Sequence, residues 1–177
     1  MLAYALILAA VLSHVLPHPW LSFTAVGGAL LVFGARRPLW QAVFPLALLA
    51  AADYYLTVYA YRYPFHLSAY VITWAWYLLA MVFGRALLRE SHTAPRVIGA
   101  ALLSSTSFFL VSNYAVWGTA GSFYPHTLAG LTTCYVAALP FYRNDVLSTT
   151  AVLALVFGLP ALAARLSPAQ RETAHRP

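Results

Sequence analysis

Long apolar stretches separated by short polar segments make up most of this chain. Six of them are predicted to be transmembrane helices, near residues 2–16, 21–35, 39–61, 66–88, 96–117 and 144–165. Each crossing needs about 20 apolar residues, and fewer where neighbouring helices cover the span. Pro17 and Pro19 separate the first two stretches, which are short, and predict a tight helical hairpin there. The pattern therefore predicts an all-α, polytopic membrane bundle.

A seventh apolar stretch, near 126–141, is too short to cross comfortably and contains Pro140. The arginines decide whether it crosses, because arginines that flank spans stay on the cytoplasmic side. Six crossings put eight arginines on the side of the termini and leave only Arg62 and Arg143 opposite, whereas seven crossings make the split six to four. We therefore predict that 126–141 is a short re-entrant or outer helix and that both termini are cytoplasmic.

Composition supports a membrane protein and excludes several other classes. Hydrophobic residues are 62% of the chain and charged residues 8%, a balance that a soluble domain of this size does not carry. The net charge of +6 flanks apolar spans and forms no basic patch, so the expected partner is the lipid bilayer and not a nucleic acid. Residues 1–166 are predicted to form one transmembrane domain, and 167–177 a cytoplasmic polar tail.

Asp53 is the ionisable residue inside the third span. A carboxylate there costs several kcal/mol unless it faces the bundle interior and finds a hydrogen-bond donor. One interpretation is a structural hydrogen bond to a tyrosine or to Asn113, and the other is a ligand contact in a cavity. Thr57 and Tyr61 follow Asp53 at four-residue steps on one helical face, which indicates a cavity wall that runs toward the outer end.

Polar and aromatic side chains gather at the predicted outer ends of the spans. Such rings serve as interfacial anchors, but beside an irregular segment they also suit a pocket for a flat organic ligand. Residues 113–126 form that segment, and long loops between packed helices often carry function. The candidate ligand contacts are His18, Asp53, Tyr59, Arg62, His66, Asn113, Trp117 and Tyr124.

Neither metal binding nor catalysis is expected from the sequence. His14 and His18 have the i, i+4 spacing of a metal pair, but Pro17 interrupts the helix and no carboxylate lies nearby in the sequence. Cys134 is interpreted as a small buried hydrophobic residue. The chain has no phosphate-binding glycine loop, so a partner would have to hydrolyse any ATP. No cofactor is predicted.

Three blocks, within residues 18–34, 107–117 and 124–141, resemble the signatures of a bacterial family of transport proteins of unassigned function. That family is similar to the S components of energy-coupling factor (ECF) vitamin transporters. The resemblance implies six helices, cytoplasmic termini in the bacterial inner membrane, and an outward pocket for a vitamin or trace metal. In S components, small residues four apart on the first helix contact a transmembrane coupling subunit, which works with ATPases. Ala5 and Ala9 match that spacing.

Two functions from different classes remain open. The first is a substrate-binding subunit for uptake of a small nutrient such as a vitamin, with no catalysis of its own. The second is a small structural or assembly subunit of a larger membrane complex, whose polar interior only holds the helices together.

Overall fold

The computed structural model describes residues 1–16, 24–119 and 122–166, and within these ranges the secondary structure is entirely helical. The helices are α1 (Leu2–Val15), α2 (Val26–Arg36), α3 (Val43–Tyr55), α4 (Leu67–Leu88), α5 (Ala94–Gly118), α6 (Leu128–Leu153) and α7 (Leu159–Leu166). A 3-10 turn, Leu39–Ala42, leads into α3, and a π-helical turn, Leu56–Ala60, extends it. The predicted all-α bundle is confirmed. The predicted ligand contact His18 and the predicted tail 167–177 lie outside the described residues.

Four helical segments are long and apolar enough to cross a membrane, namely Leu39–Ala60, Tyr70–Leu88, Ala94–Gly118 and Leu128–Ala164. The chain is therefore a membrane protein. Helices α1 and α2 are also apolar but have only 14 and 11 residues. At 1.5 Å per residue, α2 covers about 17 Å, roughly half of the hydrocarbon core of a bilayer. Such a short helix at membrane depth needs protein around it.

The stretch near 126–141 is not a separate short helix, which corrects the sequence prediction. It is the first half of α6, and a second π-helical turn, Ala154–Gly158, joins α6 to α7 without a break. Pro140 lies inside α6, where it removes one backbone hydrogen bond, a loss that membrane helices tolerate when neighbours compensate. The segment Leu128–Ala164 has 37 residues and is about 55 Å long, longer than a bilayer is thick.

Helix α2 is the axis of the bundle, since every residue from Val26 to Ala35 is buried. One face, which includes Leu30 and Phe33, packs against α1 and α4. The opposite face, which includes Leu31 and Val32, packs against α5 and the C-terminal part of α6. Both apolar clusters therefore depend on this one short helix.

The backbones of α2 and α4 touch at two reciprocal glycines. A Cβ atom at Gly34 would collide with the backbone carbonyl of Met81, and one at Gly84 would collide with that of Leu31. Small residues of this kind allow the close helix approach on which packing in membranes depends. Gly99 of α5, by contrast, has nothing within 4 Å of the position that a Cβ would occupy.

Most of the described arginine side chains lie at one end of the bundle. The Arg36 guanidinium lies 5.4 Å from the centroid of the Phe157 ring, and His92 stacks on the same ring at 4.3 Å. Arg37 lies 4.5 Å from the ring centroid of Tyr4 near the start of α1. The start of α1, the end of α2, the α4–α5 connection and the end of α6 therefore meet at this arginine end. Which side of the membrane it faces stays a prediction.

Replacing Gly34 by alanine is expected to destabilise the protein by roughly 1–3 kcal/mol, because the added methyl group forces the two backbones apart. Thermal unfolding of the detergent-purified variant measures the loss. Gly99→Ala is the matched control and should be neutral or slightly stabilising, since alanine favours a helix over glycine by about 0.5–1 kcal/mol. Equal melting temperatures for the two variants would contradict the close contact between α2 and α4.

Candidate ligand-binding cavity

A cavity of about 1000 Å³ lies between α1, α3, α4, α5 and α6, beside the first residues of α2. Its lining includes Asp53 and Asp145 within the helices, and Tyr61 and Tyr124 near the helix ends opposite the arginines. Its volume is at the upper end of the range for small-molecule sites.

Aromatic side chains form much of the cavity wall, including those of Tyr55, Tyr70, Trp76, Phe108, Tyr124 and Tyr142. Contacts between helices fix several of these rings. The Trp76 ring lies 4.4 Å from that of Phe108, and its Nε1 donates to Ser107 Oγ at 3.2 Å. The hydroxyl groups of Tyr142 and Thr106 hydrogen-bond at 2.9 Å and connect α6 to α5. The wall is therefore held by packing and hydrogen bonds before any ligand binds.

Asp53 is buried, lines this cavity and has hydrogen-bond partners on both carboxylate oxygens. His14 Nε2 lies 3.0 Å from Oδ1, while Trp74 Nε1 donates to Oδ2 at 2.9 Å. The Tyr77 hydroxyl adds a longer hydrogen bond to Oδ2 at 3.4 Å. Three side chains from α1 and α4 therefore converge on one carboxylate of α3, and they join these three helices.

This geometry distinguishes between the partners that the sequence left open for Asp53. The tyrosine interpretation corresponds to Tyr77, whereas Asn113 is directed elsewhere, since its Nδ2 donates to the backbone oxygen of Phe109 at 2.7 Å. Thr57 donates to the backbone oxygen of Asp53 at 2.7 Å and contacts the Tyr70 hydroxyl. As the four-residue spacing predicts, Asp53, Thr57 and Tyr61 all line the cavity.

Asp145 is the second carboxylate in the wall, and its environment is different. Its Oδ2 is buried without a hydrogen-bond partner, and the Ser105 hydroxyl faces it without reaching hydrogen-bond geometry. One helical turn along α6, Thr149 Oγ1 is also buried and unpartnered. A Cβ atom at Gly27 would lie 2.5 Å from this Thr149 oxygen and 3.6 Å from Asp145 Oδ1, so the glycine keeps the space in front of both groups open.

The predicted ligand contacts divide into two groups. Asp53, Asn113 and Tyr124 line the cavity. The residues Tyr59, Arg62, His66 and Trp117 are not part of the lining and lie toward the end opposite the arginines. Trp117 Nε1 donates to the backbone oxygen of Pro125 at 2.9 Å and so holds the loop between α5 and α6. Arg62 is exposed, with a left-handed backbone φ of 58°.

Sequence reasoning assigned no binding role to several residues that line the cavity, notably His14, Tyr77, Tyr142 and Asp145. His14 was considered only as a metal ligand, but its ring contacts Asp53. Within the described ranges, no group of three or more His, Cys, Asp or Glu is arranged to hold a metal ion. The helical spacing of Ala138, Tyr142 and Asp145 was the available signal for the α6 wall.

The hydrogen bond from Trp74 to Asp53 gives a testable stability effect. Trp74→Phe is expected to destabilise the protein by roughly 1.5–3 kcal/mol, since a hydrogen bond to a charged, buried group is lost. Trp40→Phe removes an indole that is 75% exposed and should change thermal stability very little. In an Asp53→Asn background the cost of Trp74→Phe should fall, whereas an unchanged cost would assign the loss to ring packing alone.

Comparison with known proteins gives a family but no function. No curated protein and no solved structure matches the chain. A family of unknown function matches residues 1–170, almost the whole length. The chain therefore belongs to this family of unknown function, DUF6580.

Proposed function

We propose that this protein is a substrate-binding subunit for the uptake of a small nutrient such as a vitamin, without catalysis of its own. The observation that carries the proposal is the cavity of about 1000 Å³, lined by aromatic rings and a few convergent polar groups. Pockets of this composition are typical of sites that bind flat organic molecules.

The bundle is densely packed around α2 but contains a large cavity beside it, and this difference in packing favours ligand capture over a purely structural role. Protein interiors are normally packed as densely as organic crystals, and unfilled space costs stability. Around α2 the packing is of this dense kind, with backbones in contact at Gly34 and Gly84. A subunit that only holds other proteins together has no need of a large aromatic cavity beside such a core.

The outer face of α1 supports a partner that supplies the energy for uptake. Ala3, Ile7 and Ala10 face the bundle, whereas Ala5 and Ala9 are exposed on the opposite face. Small residues let another helix approach closely, so this face suits a transmembrane coupling subunit that works with ATPases. The spacing of Ala5 and Ala9 is also the feature shared with ECF S components.

Uptake requires the cavity to open away from the cytoplasm. We therefore expect the arginine end to be cytoplasmic in the bacterial inner membrane, as the positive-inside rule predicts. A C-terminal fusion to a fluorescent protein that folds only in the cytoplasm should fluoresce in bacterial cells. A fusion to alkaline phosphatase, which is active only outside the cytoplasm, should be inactive. Active phosphatase with a dark fluorescent fusion would contradict this orientation.

Filling the cavity tests the binding function directly. Ala137 of α6 lines the cavity, whereas its neighbour Val136 is 58% exposed on the outside of the bundle and takes no part in the lining. Mass spectrometry of the detergent-purified protein should detect a co-purifying small molecule in the wild type and in Val136→Trp. Ala137→Trp should lose it by at least about tenfold, because the indole occupies the space. A ligand retained equally by both variants would place binding elsewhere.

A further inference from the structure

We infer that the ligand of this cavity is an organic cation with an apolar or aromatic body, and that Asp145 supplies the opposite charge. The inference rests on the proposed function, whose substrate class it names. It depends on which charged groups line the cavity, which of them already have partners, and what surrounds them.

The charged groups in the described part of the wall are negative, apart from one histidine. Asp53 and Asp145 line the cavity with His14, and no described lining residue is arginine or lysine. Residues 17–23 and 120–121 contain neither residue type in the sequence. Among the described lining residues, an anionic nutrient would therefore meet two carboxylates and no guanidinium or ammonium group. Like charges at close range disfavour binding strongly in a site that excludes water.

The partners of Asp53 make it unsuitable as the main contact for a ligand cation. His14, Trp74 and Tyr77 already direct donors at its two oxygens. A ligand that paired with Asp53 would have to displace at least one of these donors and leave it buried without a partner, which costs free energy. Asp53 therefore holds α1, α3 and α4 together at the cavity floor and contributes negative potential from there.

Asp145 lacks any such compensation. Oδ2 is buried without a partner, and the ion pair found among the described residues is that of His14 with Asp53. Arg143 is two positions earlier on α6, which puts it about 200° around the helix, and its side chain is exposed. A half-buried carboxylate without a counter-charge is costly at membrane depth, so a cationic ligand beside Asp145 would stabilise both partners.

The surrounding rings are suited to the same ligand class. Tyr142 lies one helical turn before Asp145, and its ring is 4.8 Å from that of Phe109 across the α5–α6 contact. Trp76 and Phe108 line the neighbouring part of the wall. Aromatic faces attract organic cations when both are shielded from water. A carboxylate among aromatic rings therefore favours a quaternary, aromatic or protonated nitrogen over a neutral or acidic group.

Three indoles that differ in the charge of the side chain test this inference without an identified ligand. Tryptamine is a cation, tryptophol is neutral, and indole-3-acetate is an anion at neutral pH. Isothermal titration with the wild-type protein in a non-ionic detergent should give the tightest binding for tryptamine, by at least about tenfold over tryptophol. Indole-3-acetate should bind most weakly. This comparison within one protein does not depend on whether any variant folds.

Substitutions then assign the preference to one carboxylate. Asp145→Asn should reduce the selectivity for tryptamine to less than about threefold, and Asp145→Glu should restore part of it. Glu90→Gln removes an exposed carboxylate in the α4–α5 connection at the arginine end and should leave the selectivity unchanged. Selectivity retained in a folded Asp145→Asn protein would overturn the role of Asp145.

The outcomes separate this inference from the function on which it rests. If the three indoles bind equally, or if the co-purifying molecule is anionic, the cation inference is wrong and the capture function remains. If no indole binds and no small molecule co-purifies with the wild type, the capture function fails and the inference fails with it.

Discussion

The close contact between α2 and α4 is the constraint on which the rest of the structure depends. Gly34 and Gly84 bring two backbones together at the arginine end, where neither helix tolerates a side chain. Both apolar clusters share α2, so its position determines where α1, α5 and α6 can pack. Gly27 lies seven residues earlier, about 10 Å along the same helix, beside the cavity. The closely packed arginine end and the cavity therefore both depend on the short helix α2.

The two cavity carboxylates, buried Asp53 and half-buried Asp145, have different environments. Asp53 has a histidine, an indole and a phenol as partners, so it acts as a connector between helices. Asp145 has a glycine opposite it and an oxygen without a partner. Both are aspartates that line one cavity, yet both oxygens of Asp53 have partners within the fold, whereas Oδ2 of Asp145 has none. Such unpaired groups are uncommon and often functional.

Much of the fold could be predicted from the sequence, because the lengths of the apolar stretches and the positions of the arginines between them can be read directly from it. The error near 126–141 arose because its short apolar length and Pro140 suggested a helix that ends there, and the arginine count was then taken to exclude a crossing. Packing of α6 against α5, through pairs such as Thr106 with Tyr142, keeps the helix continuous there. Partners of this kind lie far apart in the chain and leave no local pattern.

The candidate site could be predicted only where its residues lie on a single helix, because their spacing in the sequence then shows that they share one face. Asp53, Thr57 and Tyr61 share a face of the third span, and that wall was anticipated. His14, Tyr77 and Asp145 come together from three different helices, so their convergence depends on how those helices pack.

The complete burial of α2 has a consequence for the assembly of the protein in the membrane. A helix with no lipid-facing side and only 11 residues gains little from partitioning into lipid by itself. Its neighbours α4 and α6 come later in the chain. During synthesis α2 therefore cannot be enclosed as it is in the folded protein until those later helices have been made. Biogenesis, and not only the folded state, would then limit which substitutions α2 accepts.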